Sequence, residues 1–188
     1  YGARLATQLA DSIRCIRVGG KDADILCADV QLNADGISAR ITVAGESLLV
    51  RLPLYGRFNI DNLMIVAGML AVQGLAPQAI GAALSAVTPV PGRMQPVMIG
   101  DGPVVLVDYA HTPDALEKSL HAVREHFTGK LWCVVGCGGN RDTGKRPLMA
   151  AMAEKLADQL IFTADNPRDE SVQEIISDML AGVQHALA

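Results

Sequence analysis

Polar loops follow the short apolar runs in the second half of the chain. The runs are residues 104–107, 131–135 and 160–162, and they are typical of strands in a parallel sheet buried on both faces. The loops that follow them are residues 108–111, 136–142 and 165–168. Because ligands of open parallel sheets bind beyond the carboxyl ends of the strands, we expect the three loops to meet at one edge. Two of them combine a carboxylate with a possible cation, which indicates a site for a charged ligand.

The third loop, Asp165-Asn166-Pro167-Arg168, has two interpretations. Asp-Asn-Pro is a common turn former, so the loop could be a turn and nothing more. Arg168, however, lies near the start of a predicted helix, where a cation opposes the helix dipole. A carboxylate ligand held by the guanidinium would resolve this conflict, because arginine binds carboxylates through two parallel hydrogen bonds.

Three residues of the first two loops are candidates for chemistry. Asp108 follows a strand, where its carboxylate could accept a ribose hydroxyl or could orient the loop. His111 precedes a helix and could be a local hydrogen-bonding group or a catalytic base. Cys137 lies among glycines with no base beside it, so we interpret it as a small residue in a tight loop and not as a nucleophile.

Residues 139–146 nearly match the phosphate-binding loop G-x-x-x-x-G-K-[ST]. The final Ser or Thr, which would hold Mg²⁺, is replaced by Arg146 and followed by Pro147. The mismatch argues against a P-loop NTPase, and the absence of an intact G-x-G-x-x-G after a strand argues against a dehydrogenase. Backbone N–H groups together with Arg141, Lys145 and Arg146 still predict an anion-binding loop.

The elements that position these loops follow from the hydrophobic pattern. In the second half, helices alternate with strands: Thr112 and Pro113 are typical of a helix start, and residues 171–174 form the sequence of a capping box. This order predicts a doubly wound α/β domain.

The first half of the chain has a different pattern. Residues 24–32, 37–43 and 48–54 alternate with the period of half-buried strands and predict an antiparallel meander of three or four strands. Residues 63–72 are apolar nearly all round, which predicts a helix buried on most sides, and a second helix is expected at 77–87. Pro89-Val90-Pro91-Gly92 is a stiff break and the predicted domain boundary.

Composition excludes several classes of protein. The 188 residues are half hydrophobic and carry a net charge of −4, which argues against nucleic acid or an anionic membrane as partner. No apolar run approaches the roughly 20 residues of a membrane helix. The four cysteines lack metal-site spacing, so a reducing cytoplasm is expected. The chain begins without Met and ends within an apparent helix, so we expect a part of a longer protein.

Several motifs in this order resemble those of the Mur ligase family. They are Gly-Arg-Phe-Asn-Ile-Asp-Asn (56–62), Pro-Gly-Arg-Met (91–94), Asp-Tyr-Ala-His-Thr-Pro-Asp (108–114), the loop 136–142 with Gly-Lys-Arg-Pro (144–147), and Asp-Asn-Pro-Arg (165–168). The resemblance covers essentially the whole chain. It is greatest to the branch of the family that adds meso-diaminopimelate to UDP-N-acetylmuramoyl-L-alanyl-D-glutamate.

The resemblance implies a fold and an activity. Residues 1–93 would be the end of a central ATPase domain with antiparallel strands and helices, and 94–188 most of a Rossmann-like ligase domain. The expected reaction uses ATP and Mg²⁺ to form an acyl phosphate, which the incoming amine attacks. The family's phosphate-binding loop, carbamylated lysine and late Gly-x-x-x-Glu are not in these residues. We therefore expect the magnesium ligands to lie elsewhere, no metal site here, and no turnover by this chain alone; a monomer is expected.

The same resemblance implies roles for individual residues. For ATP these are Asn59 and Asn62 at the adenine, Arg93 at the phosphates, Asp108 at the ribose, and His111 close by. For the incoming amino acid the implied residues are Arg141, Asp165, Asn166 and Arg168. Asp-Asn-Pro-Arg is the form associated with meso-diaminopimelate, whose additional carboxylate suits a second guanidinium. A related ligase that adds L-lysine, and a non-catalytic module binding an amino acid or nucleotide, remain alternatives.

Overall fold

The computed structural model describes residues 2–9, 13, 15–20, 22–97 and 102–184. The chain divides into two compact units, Tyr1–Pro91 and Gly92–Ala188. The division falls within the proline-rich segment that the sequence predicts as a boundary, where fixed proline φ angles and missing N–H groups interrupt regular structure. Residues 185–188, where we expected a helix to continue, lie outside the described residues.

The first unit contains an antiparallel meander. After helix α1 (Gly2–Leu9), strands β1 (Ile25–Asn33), β2 (Gly36–Val43) and β3 (Glu46–Leu52) pair in that order. The predicted alternation is confirmed, because the side chains with at most 2% exposure in β2 include Ile37, Ala39, Ile41 and Val43. Gly36 has a φ of +115°, and a Cβ there would lie 2.2 Å from the carbonyl oxygen of Leu52. The turn between β1 and β2 therefore requires glycine.

Two helices complete the first unit, α2 (Phe58–Val72) and α3 (Pro77–Ser85). The face of α2 that includes Ile60, Leu63 and Ala67 packs in the core with the meander. The prediction that this helix is buried on most sides is wrong for the described part of the chain, because Ile65 and Met69 are 50% and 60% exposed. An apolar sequence shows that a helix can be buried, but the number of neighbouring elements decides how much of it is.

In its described residues, 92–97 and 102–184, the second unit contains four short strands and three helices. In chain order they are β4 (Gln95–Val97), β5 (Val105–Val107), α4 (Pro113–His126), β6 (Trp132–Val135), α5 (Lys145–Leu156), β7 (Gln159–Phe162) and α6 (Val172–Leu180). The chain thus has the predicted α/β fold.

The predicted single parallel sheet is not what the structure shows. Strands β6 and β7 pair in parallel, with α5 as the crossover, but β5 pairs antiparallel with β4. Strand β4 was missing from the prediction. It is only three residues long and precedes β5 closely in the chain, which allows antiparallel pairing without a crossover helix.

The strands of this unit are also not buried on both faces. Cys133 and Val135 point into a core that contains Leu116, Met149 and Met179 from the three helices. Trp132 and Val134, which point the other way, are 58% and 62% exposed. Within the described residues the three helices pack against one side of these strands, so only the inward side chains are covered.

One of the two predicted helix caps forms. Thr112 Oγ1 accepts a hydrogen bond from Ala115 N at 3.2 Å, and Pro113 opens the helix as expected. Ser171 is at the N-cap position of α6, but its side chain makes no capping bond. Its hydroxyl instead bonds Gln173 Oε1 at 3.0 Å, so the predicted capping box is absent. Among the described residues, no helix is long and apolar enough to cross a membrane.

Candidate functional site

The glycine-rich loop after β6 lies directly against the loop after β7. Gly139 N donates to Asn166 O at 2.9 Å, and the guanidinium of Arg168 donates through Nη1 to the carbonyl oxygen of Gly139. A Cβ on Gly139 would lie 1.8 Å from the carbonyl oxygen of Pro167. Glycine is required here by the close approach of two backbones. The expected meeting of these two loops is confirmed.

The loop after β5 is contacted by a lysine at the start of α5. Lys145, the first residue of α5, donates from Nζ to His111 O at 2.8 Å. The loop after β5 therefore contacts the amino end of α5, although β5 is not part of the parallel pair β6–β7. Arg141, in the glycine-rich loop, is exposed. Its neighbour Asn140 bonds Asp169 Oδ2 through Nδ2 at 3.0 Å.

The loop 165–168 forms a turn and also exposes the side chain of Arg168. Glu170 N donates to Pro167 O at 3.0 Å, so the segment is a turn, and Arg168 itself has a left-handed φ of +51°. Helix α6 begins only at Val172, so the predicted conflict with the helix dipole is wrong, because that effect fades beyond the first turn. The exposed guanidinium has five N–H donors. One of its nitrogens is bonded, to Gly139 O, among the residues described.

Arg146 does not belong to an anion-binding surface, and this prediction is wrong. Its side chain is 1% exposed, and its guanidinium donates to Asp178 Oδ2 at 2.8 Å and Glu170 Oε2 at 2.7 Å. A third bond, at 3.4 Å, reaches Gly138 O. The hydrogen bonds to Asp178 and Glu170 raise the pKa of Arg146, and the bond from Arg146 lowers the pKa of Glu170. The charge at position 146 is thus compensated inside the protein.

Asp108 orients its loop. Its Oδ2 accepts from Met94 N at 2.9 Å, and its Oδ1 accepts from Ser119 Oγ at 2.9 Å. These bonds tie the end of β5 to the segment before β4 and to α4. Each carboxylate oxygen has a further lone pair, so the arrangement leaves acceptor capacity for a ribose hydroxyl.

The ring of Tyr109 contacts Arg93 and His111, two of the predicted nucleotide-binding residues. The guanidinium carbon of Arg93 lies 4.8 Å from the centroid of the Tyr109 ring, a cation–π distance. The rings of Tyr109 and His111 meet edge to face with centroids 5.1 Å apart, and His111 Nδ1 lies 2.9 Å from Tyr109 O. The sequence analysis missed Tyr109. An aromatic residue directly after Asp108 was the available signal, and its 63% exposure makes it accessible to a ligand.

Asn59 and Asn62 lie in the first unit, at the start of α2. Asn59 Nδ2 donates to Tyr55 O at 2.8 Å, and Asn62 Nδ2 donates to Asn59 Oδ1 at 3.2 Å. Tyr55 in turn donates to Ala34 O at 2.9 Å. The two asparagines are therefore held in one hydrogen-bonded chain that reaches the turn between β1 and β2.

Burial makes Cys137 unreactive, in agreement with the interpretation of it as a small residue. It is 3% exposed, and burial raises its pKa; burial raises the pKa of Cys133 to about 11. At pH 8 a thiol with the pKa of Cys133 is ionised about 10²-fold less than an ordinary cysteine thiol. We expect iodoacetamide to modify Cys133 at least 10²-fold more slowly in the folded protein than in guanidinium chloride, and Cys137 also more slowly. Mass spectrometry of timed samples measures this, and equal rates would contradict the buried positions.

Metal ligands are the remaining question for the site. In the ranges that the structure describes, no group of three or more His, Cys, Asp or Glu side chains is placed to hold a metal ion. Positive side chains among these loops include Arg93 over Tyr109, Lys145 bonded to His111 O, Arg168 bonded to Gly139 O, and the exposed Arg141. This arrangement is suited to an anionic ligand with several carboxylates or phosphates.

Comparison with known proteins gives a consistent result. Residues 92–187, more than half of the chain, match the family model described as Mur ligase, glutamate ligase domain. The chain is similar to the UDP-N-acetylmuramoyl-L-alanyl-D-glutamate–2,6-diaminopimelate ligase of Xylella fastidiosa, with 46% identity over 186 residues, 97% of this chain and 38% of that protein. The ligase of the same name from Ectopseudomonas mendocina is 48% identical over 185 residues, with the same two coverages.

Structural comparison agrees with the sequence comparison. A solved structure of a UDP-N-acetylmuramoyl-L-alanyl-D-glutamate–2,6-diaminopimelate ligase matches with a TM-score of 0.71 and 35% identity, over 98% of this chain and 39% of that one. The chain therefore spans less than two fifths of the length of these relatives. Its ordered motifs, its fold and the family match together lead to one conclusion: the chain belongs to the Mur ligase family.

Proposed function

We propose that this chain is part of an ATP-dependent ligase that adds meso-diaminopimelate to UDP-N-acetylmuramoyl-L-alanyl-D-glutamate. The observation that carries the proposal is the seating of the loop 165–168 on the glycine-rich loop, with Arg168 and Arg141 exposed at one edge. The names of the similar ligases support the same substrate.

The amino-acid site would be formed by Arg141, Asp165, Asn166 and Arg168. Meso-diaminopimelate carries an ammonium and a carboxylate at each end. Guanidinium groups pair with carboxylates in a two-bond geometry, and Asp165 offers a partner for an ammonium. L-Lysine lacks the far carboxylate and would leave Arg168 without its partner. A site built around such a polar pair rejects the analogue that lacks it.

In the second unit, the nucleotide would be bound by Arg93 at the phosphates and Asp108 at the ribose, with His111 nearby. The anchored carboxylate of Asp108 and the placement of Arg93 over Tyr109 support this assignment. ATP, with Mg²⁺, would supply the phosphoryl group that turns a carboxylate oxygen into a leaving group. The chain's own contribution is to hold the amine and neutralise charge, which are large terms in such reactions.

Two further points belong to the proposal. The phosphate-binding loop and carbamylated lysine that the family resemblance implies are not among these residues, so the 188 residues alone are expected not to turn over. A related ligase that uses L-lysine is the second candidate, and a non-catalytic binding module is the third. Arg168 favours diaminopimelate over lysine.

Phosphate release tests the proposal. The ligase that contains this chain would be given ATP, Mg²⁺ and UDP-N-acetylmuramoyl-L-alanyl-D-glutamate, with meso-diaminopimelate or L-lysine in parallel. We expect release to be about 30-fold faster or more with diaminopimelate, because a lost carboxylate–guanidinium pair costs about 2–5 kcal/mol. Faster release with lysine would retain the ligase but overturn the substrate. Release with neither amine would favour a binding module.

A further inference from the structure

Glu170 connects the two loops of the proposed amino-acid site. Its Oε2 accepts from Arg146 Nη2 at 2.7 Å, and its Oε1 accepts from the backbone N–H of Asn140. The backbone N–H of Glu170 closes the turn on Pro167 O at 3.0 Å. One residue is thus bonded to its own turn, to the glycine-rich loop and to the first turn of α5.

Arg146 provides the fixed end of this connection. Its guanidinium is buried and bonded to two carboxylates and to Gly138 O. Bonds from a guanidinium to a carboxylate are charge-assisted and directional, and breaking a buried pair is costly because it leaves an uncompensated charge. The Glu170 carboxylate is therefore held in one orientation between α5 and Asn140.

The connection ends beside the two guanidinium groups that are proposed to bind the substrate. Asn140 precedes Arg141 in the chain, and Glu170 follows Arg168 by two residues. The separation of the two substrate-binding arginines thus depends on the bonds of Glu170. A displacement of about 1 Å in such a site can cost about 10²-fold in rate.

We propose that Glu170, held by Arg146, is a positioning residue that sets the distance between Arg141 and Arg168 and so determines the affinity for the diamino-dicarboxylic acid. The proposal rests on the proposed function of the site. Glu170 touches the substrate-binding arginines only through the backbone of the two loops, so its effect is on their geometry.

Asp178 offers a matched control. Its Oδ2 accepts from Nη1 of the same guanidinium at 2.8 Å, but it lies on α6, and within the described residues its side chain bonds Arg146 and neither loop. Glu170→Gln and Asp178→Asn each remove one of the two carboxylate charges that pair with the buried guanidinium of Arg146. With glutamine, the amide oxygen can accept from Arg146 or from Asn140 N, and the amide NH₂ then faces the other donor. One of the two loop-connecting bonds is lost in either orientation.

Steady-state kinetics of the ligase that contains this chain test the proposal. We expect Glu170→Gln to raise KM for meso-diaminopimelate at least tenfold and to leave KM for ATP within about twofold. Both variants should lower the melting temperature by a similar amount. Asp178→Asn, however, should leave KM for diaminopimelate within about twofold. Equal KM values for diaminopimelate in the two variants, or a parallel rise in both KM values with Glu170→Gln, would overturn the proposal.

Two additions keep the outcomes separate. If Glu170→Gln does not fold, Glu170→Asp keeps the charge but is one methylene too short to reach both partners, and a raised KM for diaminopimelate alone is again expected. If the parent enzyme uses L-lysine, the proposed substrate fails, and the same comparison made with lysine still decides the role of Glu170. If it uses neither amine, both proposals fail.

Discussion

Replacing Gly139 with alanine is expected to destabilise the second unit by about 3 kcal/mol and to abolish measurable binding of meso-diaminopimelate. The added Cβ would lie 1.8 Å from Pro167 O. Because this oxygen is a backbone atom, the clash cannot be relieved by the movement of a flexible side chain. Overpacking of this kind has a cost of this order. If the backbones separate, the bonds from Gly139 to Asn166 and Arg168 are lost together. Thermal unfolding and isothermal titration of the ligase that contains this chain measure the two effects.

Gly144→Ala is the control for this substitution. Gly144 has a helical φ of −61°, and a Cβ there would meet only Asp142 Oδ1, at 3.2 Å, which is the end of a flexible side chain. We expect its stability to stay within about 1 kcal/mol of the parent, since the substitution requires only a small side-chain movement. A Gly139→Ala variant that unfolds like the parent and still binds diaminopimelate would show that the two loops are not in contact in solution.

Replacing Arg168 with alanine is expected to lower kcat/KM for meso-diaminopimelate by about 30-fold or more and to change the much lower value for L-lysine far less. The guanidinium is expected to pair with a carboxylate that lysine lacks, and truncating one partner of such a pair costs about 2–5 kcal/mol. The bond from Arg168 to Gly139 O is lost as well. Because this second loss affects both amines, the ratio of the two kcat/KM values isolates the contribution of the carboxylate.

Arg124→Ala is the matched control for Arg168. Arg124 also donates from Nη1 to a glycine carbonyl oxygen, that of Gly129 at 2.8 Å, but it does so next to the amino end of β6. We expect Arg124→Ala to lower the melting temperature and to leave the ratio of kcat/KM for the two amines unchanged. A ratio that is also unchanged in Arg168→Ala would remove Arg168 from substrate selection.

The contact between the loops after β6 and β7 was predictable from the sequence, because the ends of strands depend on local features. A short apolar run followed by glycine, aspartate or asparagine shows where a strand ends. The carboxyl ends of such strands meet in α/β folds. The cap at Thr112 and the alternation in β2 are likewise set by neighbouring residues, and both were predicted correctly. The ordered motifs also indicated the family, which the comparisons confirm.

The partners of individual side chains were not predictable in this way. Arg146 lies among Arg141 and Lys145 in the sequence, and all three suggest a basic surface. Arg146 is buried because Glu170 and Asp178, 24 and 32 residues later in the chain, meet it. Asp108 was equally ambiguous until Met94 and Ser119 were seen to bond it. Nothing in the local pattern carries such information.

The sequence by itself thus determined most of the strands and helices, the loops that follow β6 and β7, and the family. The tertiary structure alone decided which charges face solvent, which strands pair and which helix faces are covered. The physical reason is the range of the interactions. Helix caps, turns and strand alternation involve residues within a few positions of one another. The burial of Arg146 and the pairing of β5 with β4 depend on groups that only the folded chain brings within a few ångströms.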